Sequence, residues 1–145
     1  MIIHIASDHA ALSLKLEIIR FLKDKGIEVV DHGPEASCSV DYPDYAEKLC
    51  RELLNDNSCR GILLCGSGLG MSIAANRYRG IRAALCHDVT LARLSREHND
   101  SNVLVLGGRM TGTDLALEIV NVWLETKFSE IDRHSRRIQK LDKIK

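Results

Sequence analysis

Short apolar runs of β type alternate with helical segments along the chain, and this alternation constrains the fold more than any other feature. The five runs are 2–6, 27–31, 61–65, 81–86 and 102–107. Apolar residues recur between them at helical spacing, in Leu14, Ile18, Phe21 and Leu22, in Tyr45, Leu49 and Leu53, and in Leu115, Ile119, Val122 and Trp123. Apolar strands with helices between them form parallel sheets covered on both faces. The sequence therefore predicts a doubly wound α/β fold with a five-stranded parallel sheet.

Length and charge limit the function classes. The 145 residues fit one domain spanning 1–145, and the 20 Lys and Arg residues balance the 20 Asp and Glu residues. Balanced charge gives no attraction to nucleic acid or to a membrane surface, so neither is expected as a partner. No stretch approaches the roughly 20 apolar residues of a spanning helix, and the N-terminus has no basic export segment. We therefore expect a cytoplasmic protein.

The chain has five cysteines, an odd number without C-x-x-C spacing. This pattern argues against a disulfide framework and against a zinc ribbon, so reduced thiols are expected. Cys38, Cys50, Cys59 and Cys86 are interpreted as small buried apolar side chains. Cys65 stands apart because of the loop in which it lies.

Ligands of doubly wound sheets bind at the carboxyl ends of the strands. Candidate site residues therefore follow the predicted strands, and they are Ser7, Asp8, His9, Cys65 to Gly70, His87, and Gly107 to Arg109. The segment from His32 to Tyr42 has turn composition and is either part of a substrate rim or a simple surface loop.

The sequence CGSGLG at 65–70 follows a buried strand and precedes a helical segment, so its backbone N–H groups are expected to form an anion site. It fits neither a dinucleotide fingerprint nor a P-loop, and a cysteine phosphatase would need arginine where Met71 stands. Cys65 at the mouth of this turn is a candidate base or nucleophile, because the helix dipole favours a thiolate there. The alternative is a buried apolar cysteine.

Two histidines are predicted to face one crevice. His9 follows Asp8 at the end of the first strand, and His98 and Asn99 immediately precede the fifth strand. Histidine can donate a proton or carry charge beside a phosphate near neutral pH. The alternative for each is a surface or capping histidine, and His4, His32, His87 and His134 rank lower as candidates.

The last segment is predicted to form a helix with a basic face. Ile131, Ile138 and Leu141 share one stripe, whereas the opposite stripe carries Arg133, Arg136, Arg137 and Lys140. Arg133 and Arg137 are one turn apart, so both could bind a single phosphate, and Arg109 is a further candidate. A solvated charged face is the alternative.

Several motifs resemble those of type B ribose-5-phosphate isomerases over nearly the whole chain. They are SDHA near the start, DYPDYA at 41–46, LCGSGLGMSIAAN at 64–76, GIRAA at 80–84, REHNDSNVL at 96–104 and RHSRR at 133–137. The resemblance implies a single Rossmann-like domain and a homodimer, or a tetramer, with sites at the interface. It also implies a C-terminal helix that reaches the partner subunit, and interconversion of ribose 5-phosphate and ribulose 5-phosphate without a metal or organic cofactor.

The resemblance also implies residue roles. Cys65 corresponds to the base that moves a proton between C1 and C2, and His98 to the acid that opens the furanose ring. Asp8 assists at the ring oxygen or hydroxyls, and Ser67, where the family often has threonine, relays a proton between O1 and O2. The enediolate would be stabilised by the backbone of Gly66, Ser67, Gly68, Leu69 and Gly70. Phosphate would be bound by His9, Arg109, Arg133 and Arg137. Sugar hydroxyls would be contacted by Tyr42 and Asn99.

Three other functions remain open on the sequence. An isomerase for a six-carbon sugar such as allose 6-phosphate or galactose 6-phosphate would use the same residues. A non-catalytic sugar-phosphate binding module would not need Cys65, Ser67 and His98 together. A thiol redox protein would need a second cysteine near Cys65, and none lies at C-x-x-C distance.

Overall fold

The computed structural model describes residues 1–36 and 38–144, with five strands and six α-helices in these ranges. The strands are β1 (Ile2–Ser7), β2 (Glu28–Asp31), β3 (Arg60–Cys65), β4 (Ala83–Leu85) and β5 (Val103–Gly107). The helices are α1 (Leu12–Asp24), α2 (Tyr42–Asn55), α3 (Leu69–Ala75), α4 (Val89–Asn99), α5 (Thr113–Glu125) and α6 (Asp132–Leu141). Across these two ranges, no helix is long and apolar enough to cross a membrane.

The strands form one parallel sheet in the order β2-β1-β3-β5-β4. Helices α1, α4 and α5 cover one face, and α2 and α3 cover the other. The predicted doubly wound fold is confirmed. The strand order reverses between β1 and β3, so their carboxyl ends, at Ser7 and Cys65, border the crevice where such sheets bind ligands.

Two details of the predicted apolar stripes differ from the structure. In α5 the buried face contains Ala116 and Val120 together with the predicted Ile119 and Trp123. Leu115 lies outside this face and is 40% exposed. In α6 the helix begins after Ile131, and His134 takes the buried position on the stripe with Ile138.

All five cysteines are free, as predicted. Cys50, Cys59 and Cys86 are buried, and burial raises the pKa of Cys50 to about 12 and that of Cys86 to about 11, so both stay protonated near neutral pH. The prediction of burial is wrong for Cys38, which is exposed because it lies in the loop between β2 and α2 rather than in a strand or helix.

A buried lysine holds the start of that loop. Lys15 of α1 is fully buried, and its Nζ donates to both carboxylate oxygens of Asp31, at 2.7 and 2.9 Å, and to the Pro34 carbonyl at 2.8 Å. The Ser7 amide donates to the Gly33 carbonyl at 3.1 Å. The buried charge is therefore paired, and the loop is tied to the end of β1.

A histidine pair lies where β1 and β2 run side by side. His4 Nδ1 and His32 Nε2 are 2.8 Å apart and share a hydrogen bond, with the rings nearly parallel. Burial, and then the neighbouring His4, lower the pKa of His32 below its ordinary value of 6.5. The folded chain therefore takes up a proton at His32 less readily than the unfolded chain does.

We expect the free energy of unfolding to fall as the pH is lowered through 6.5, because below that value the unfolded chain gains a proton that folded His32 resists. Urea denaturation at about pH 8 and at about pH 5 measures the difference. His32→Gln should reduce the pH dependence, whereas His87→Gln, at an exposed position, should leave it unchanged. An equal pH dependence in His32→Gln and wild type would contradict the assignment.

Candidate active site

One pocket lies at the carboxyl edge of the sheet, and we call it the Cys65 pocket. It is lined by Asp8, His9, Ala10, Tyr42, Cys65, Gly66, Ser67, Gly70, Arg109 and Met110. These residues come from the ends of β1, β3 and β5 and from the start of α2, so the sheet topology brings together segments distant in sequence. Most of the predicted site residues lie here.

The Cys65 thiol faces the backbone of its own loop. Its Sγ accepts a hydrogen bond from the Gly68 amide at 3.1 Å, and the side chain is 5% exposed. Within the described ranges the amides of Gly66 and Ser67 donate to no protein acceptor. The two unbonded amides lie beside the thiol and can bind an oxyanion.

Gly68 makes this arrangement possible. Its φ of +82° lies in the left-handed region, and a Cβ there would lie 3.1 Å from the Leu106 carbonyl carbon and against the Leu85 side chain. The turn between β3 and α3 therefore requires glycine both for its backbone conformation and for its contact with β5.

Asp8 and His9 form the wall of the pocket at the end of β1. Asp8 is buried, and its Oδ1 accepts the Ala10 amide at 2.9 Å, which fixes the tight turn that follows the strand. His9 Nδ1 accepts the Val40 amide at 3.3 Å. The loop between β2 and α2 therefore contacts a site residue, which supports the substrate-rim interpretation over that of a simple surface loop.

Arg109 and Tyr42 complete the walls. The Arg109 amide donates to the Gly66 carbonyl at 2.9 Å, and the Arg109 side chain passes within 3.6 Å of the position of a Gly66 Cβ. The Tyr42 ring covers Gly70 so closely that a Cβ there would lie 2.7 Å from the ring. Glycines at 66 and 70 thus let both side chains approach the cysteine loop.

A second pocket holds three more of the predicted residues, His98, Asn99 and Arg137, and we call it the His98 pocket. It is lined by His98, Asn99, His134, Arg137, Ile138 and Leu141. It shares no lining residue with the Cys65 pocket. The prediction that His9 and His98 face one crevice is therefore wrong for a single chain.

The direction of α4 explains the separation. The helix begins after β4, at the carboxyl edge of the sheet, and ends before β5, at the amino edge. Its 11 residues span about 16 Å at 1.5 Å per residue. His98 and Asn99, at the C-terminal end of α4, consequently lie near the amino ends of the strands, whereas Cys65 lies at a carboxyl end.

His134, a lower-ranking candidate on the sequence, lies beside His98 in this pocket. It is 4% exposed, its ring lies 4.3 Å from that of His98 between centroids, and its Nδ1 lies 2.8 Å from Ser129 Oγ. Burial, then His98, then the arginines of α6 lower the pKa of His134 below 6.5. Its helical spacing of four residues from Ile138 was the available signal.

Three predicted residues lie outside the pocket linings. Arg133 is exposed on α6, Leu69 has a side chain that is 58% exposed, and Gly68 is engaged through its amide with Cys65. The two arginines predicted to share a phosphate are both on α6, but only Arg137 lines the His98 pocket.

A thiol, a carboxylate and an arginine thus lie together at the switch point of a doubly wound, Rossmann-like sheet, which is the place where such sheets bind small molecules. A family model described as Ribose/Galactose Isomerase matches residues 3–141. The chain belongs to this family, and the isomerase class predicted from the sequence is confirmed.

Named relatives and solved structures agree with this membership. The chain is similar to a ribose 5-phosphate isomerase of Thermotoga maritima, with a TM-score of 0.96 and 57% identity over 99% of this chain and 98% of that one. It is 43% identical to ribose-5-phosphate isomerase B of Escherichia coli over 94% of this chain and 91% of the relative. It is 35% identical to galactose-6-phosphate isomerase subunit LacB of Clostridium acetobutylicum over 99% of this chain and 83% of the relative.

Gly68→Ala should lower the free energy of unfolding more than Gly26→Ala does. Gly26 also has a positive φ, of +71°, but a Cβ there would meet nothing within 4 Å, so the control isolates the backbone cost of about 1–2 kcal/mol. Gly68→Ala adds the contacts with Leu85 and Leu106 to that cost. Urea denaturation of the two variants measures the difference, and equal losses would show that the packing of Gly68 against β5 is not restrictive.

Proposed function

We propose that this enzyme interconverts ribose 5-phosphate and ribulose 5-phosphate through an enediolate. The observation that carries the proposal is the Cys65 thiol, hydrogen-bonded by the Gly68 amide beside the unbonded amides of Gly66 and Ser67. A base adjacent to an oxyanion site is what proton transfer next to a carbonyl requires. The ribose 5-phosphate isomerases among the similar proteins support the choice of substrate.

The first step opens the furanose ring. His98 donates a proton to the ring oxygen as the bond between C1 and that oxygen breaks, and the bond's electron pair stays with the oxygen. The anomeric hydroxyl loses its proton to the Asp8 carboxylate and becomes the aldehyde. Histidine suits the acid role because its ordinary pKa lies near neutral pH.

The second step moves hydrogen between carbons. The Cys65 thiolate takes the C2 proton, the C2–H electron pair forms the C1–C2 double bond, and the aldehyde oxygen becomes an oxyanion held by the amides of Gly66 and Ser67. The Ser67 hydroxyl relays the O2 proton to O1. The ketone then forms at C2 as the thiol returns its proton to C1, and the thiolate is regenerated.

Phosphate and hydroxyl binding fall to the remaining residues. His9 and Arg109 lie in the Cys65 pocket, and Arg137 lines the His98 pocket, with Arg133 one turn away on α6. Arginine forms paired hydrogen bonds to phosphate oxygens, which suits this role. Tyr42 lies in the Cys65 pocket and Asn99 in the His98 pocket, and we propose that both bind hydroxyl groups of the sugar.

The opposite positions of the two pockets imply a site shared between chains. His98 cannot protonate a substrate held against Cys65 of the same chain, because the two residues lie at opposite ends of the strands. In a symmetric dimer, each Cys65 pocket can meet the His98 pocket of the partner, and the same contact then forms twice. We therefore propose a homodimer with two composite sites.

A six-carbon substrate is the second candidate, and the similarity to a galactose-6-phosphate isomerase subunit favours it. Assays with ribose 5-phosphate, allose 6-phosphate and galactose 6-phosphate, each followed by ketose formation, separate the two. Turnover of the hexose phosphates alone would keep the chemistry and change the substrate, and no turnover of any of the three would favour a binding module.

Cys65→Ala is expected to lower ribose 5-phosphate turnover by about 10²- to 10⁴-fold, because the base is lost, while substrate binding is retained. The same substitution should also stop the exchange of C1 hydrogen of ribulose 5-phosphate with D2O, which NMR measures. This exchange needs no ring opening, so it reports on the base alone. Cys59→Ala is the control, since Cys59 precedes β3 at the amino edge. Turnover within a few fold of wild type in Cys65→Ala would overturn the base assignment.

His98→Asn is expected to separate the two reactions. It should lower ribose 5-phosphate turnover by about 10²-fold or more, because the ring-opening acid is lost. Hydrogen exchange into ribulose 5-phosphate should persist, since that ketose is acyclic. An equal loss of both reactions would contradict the acid role.

Mixing Cys65→Ala chains with His98→Asn chains should restore activity. In a mixed dimer one composite site combines the intact Cys65 of one chain with the intact His98 of the other, so a statistical mixture should recover about a quarter of wild-type turnover. Refolding the two variants together and separately, with gel filtration of each sample, measures this. Failure to recover activity in a confirmed mixed dimer would show that each site belongs to one chain.

A further inference from the structure

The His98 side chain does not stand alone at the end of α4. His98 is exposed, and the buried His134 of α6 lies against it with the ring planes tilted by 43°. His98 is therefore supported on one side by an imidazole from another helix and is open to solvent on the other. A ring-to-ring contact of this kind restricts the rotation of the exposed partner.

His134 is itself held in place. Its Nδ1 shares a hydrogen bond of 2.8 Å with the Ser129 hydroxyl, and the Ser129 amide donates to the Glu97 carbonyl at 3.1 Å. Glu97 directly precedes His98 on α4. The contacts thus form a closed path from the backbone of α4 through Ser129 to His134 and back to His98.

Burial and the surrounding charges lower the pKa of His134 below its ordinary value of 6.5. Burial is the largest cause, followed by His98 of α4 and then by Arg133 and Arg137 of its own helix. The buried His134 ring therefore takes up a proton less readily than a free histidine does.

We propose that Ser129 and His134 are positioning residues that fix the direction in which His98 delivers its proton to the ring oxygen. This inference rests on the proposed acid role of His98. A proton donor must point at the receiving oxygen within hydrogen-bond distance, and an error of about 1 Å can cost 10²-fold in rate. Removing the Ser129 hydroxyl frees the His134 ring and, with it, the support of His98.

The test compares the two reactions described above in Ser129→Ala, Ser129→Thr and His134→Phe. Ser129→Ala and His134→Phe should each lower kcat for ribose 5-phosphate by about 10- to 100-fold, with hydrogen exchange into ribulose 5-phosphate within about twofold of wild type. Ser129→Thr keeps the hydroxyl and should restore kcat. Ser135→Ala, on α6 beside His134, is the serine control and should leave both reactions unchanged.

A purely structural role would give a different pattern. If Ser129 and His134 only hold α6 against α4, their loss would displace Arg137 and weaken both reactions together through KM, as Arg137→Ala would. That result, or unchanged kcat in both Ser129→Ala and His134→Phe, would overturn the inference. Failure of the proposed function itself is distinct, because Cys65→Ala would then retain exchange or the wild-type enzyme would show neither reaction.

Discussion

A connection between two neighbouring parallel strands has to carry the chain from the carboxyl end of one strand back to the amino end of the next. The distribution of polar residues in this molecule follows from that constraint. Helix α4 performs this return between β4 and β5, so its first residues lie at the carboxyl ends of the strands and its last residues lie at the amino ends. Helix α6 packs against the end of α4 and adds arginines to that far edge. One chain consequently carries two separate polar pockets, and the composite site that we propose takes one pocket from each of two chains.

Within the Cys65 pocket, the environment of the thiol depends on close backbone approach. Gly68 turns the chain so that its amide points at the sulfur, and a Cβ at Gly107 would lie 2.7 Å from the Ser67 carbonyl oxygen. The end of β5 can therefore lie directly beneath the cysteine loop. The same approach brings Arg109, two residues later, to the pocket wall. The thiol of Cys65 and the side chain of Arg109 are thus placed by the absence of side chains at neighbouring positions.

The sequence was sufficient to predict the sheet, its five strands and most of the Cys65 pocket, because burial on both faces and the turn after each strand leave local patterns. It was not sufficient for features set by packing between distant segments. His98 was assigned to the crevice of His9 because both flank strands, but the edge reached by a helix end depends on topology. The sequence alone does not separate His134 from the other lower-ranking histidines, and only its contacts with His98 and Ser129 distinguish it.

The buried Lys15 has a consequence for the thermodynamics of ligand binding. Its ammonium group holds Asp31 and the Pro34 carbonyl from beneath, and the Ser7 amide fixes Gly33, so the first part of the pocket rim is ordered by the protein itself. A ligand that contacts this loop would not have to meet the entropic cost of ordering its first residues. More of the interaction free energy would then remain as affinity, and Lys15 of α1 would contribute to recognition without touching the ligand.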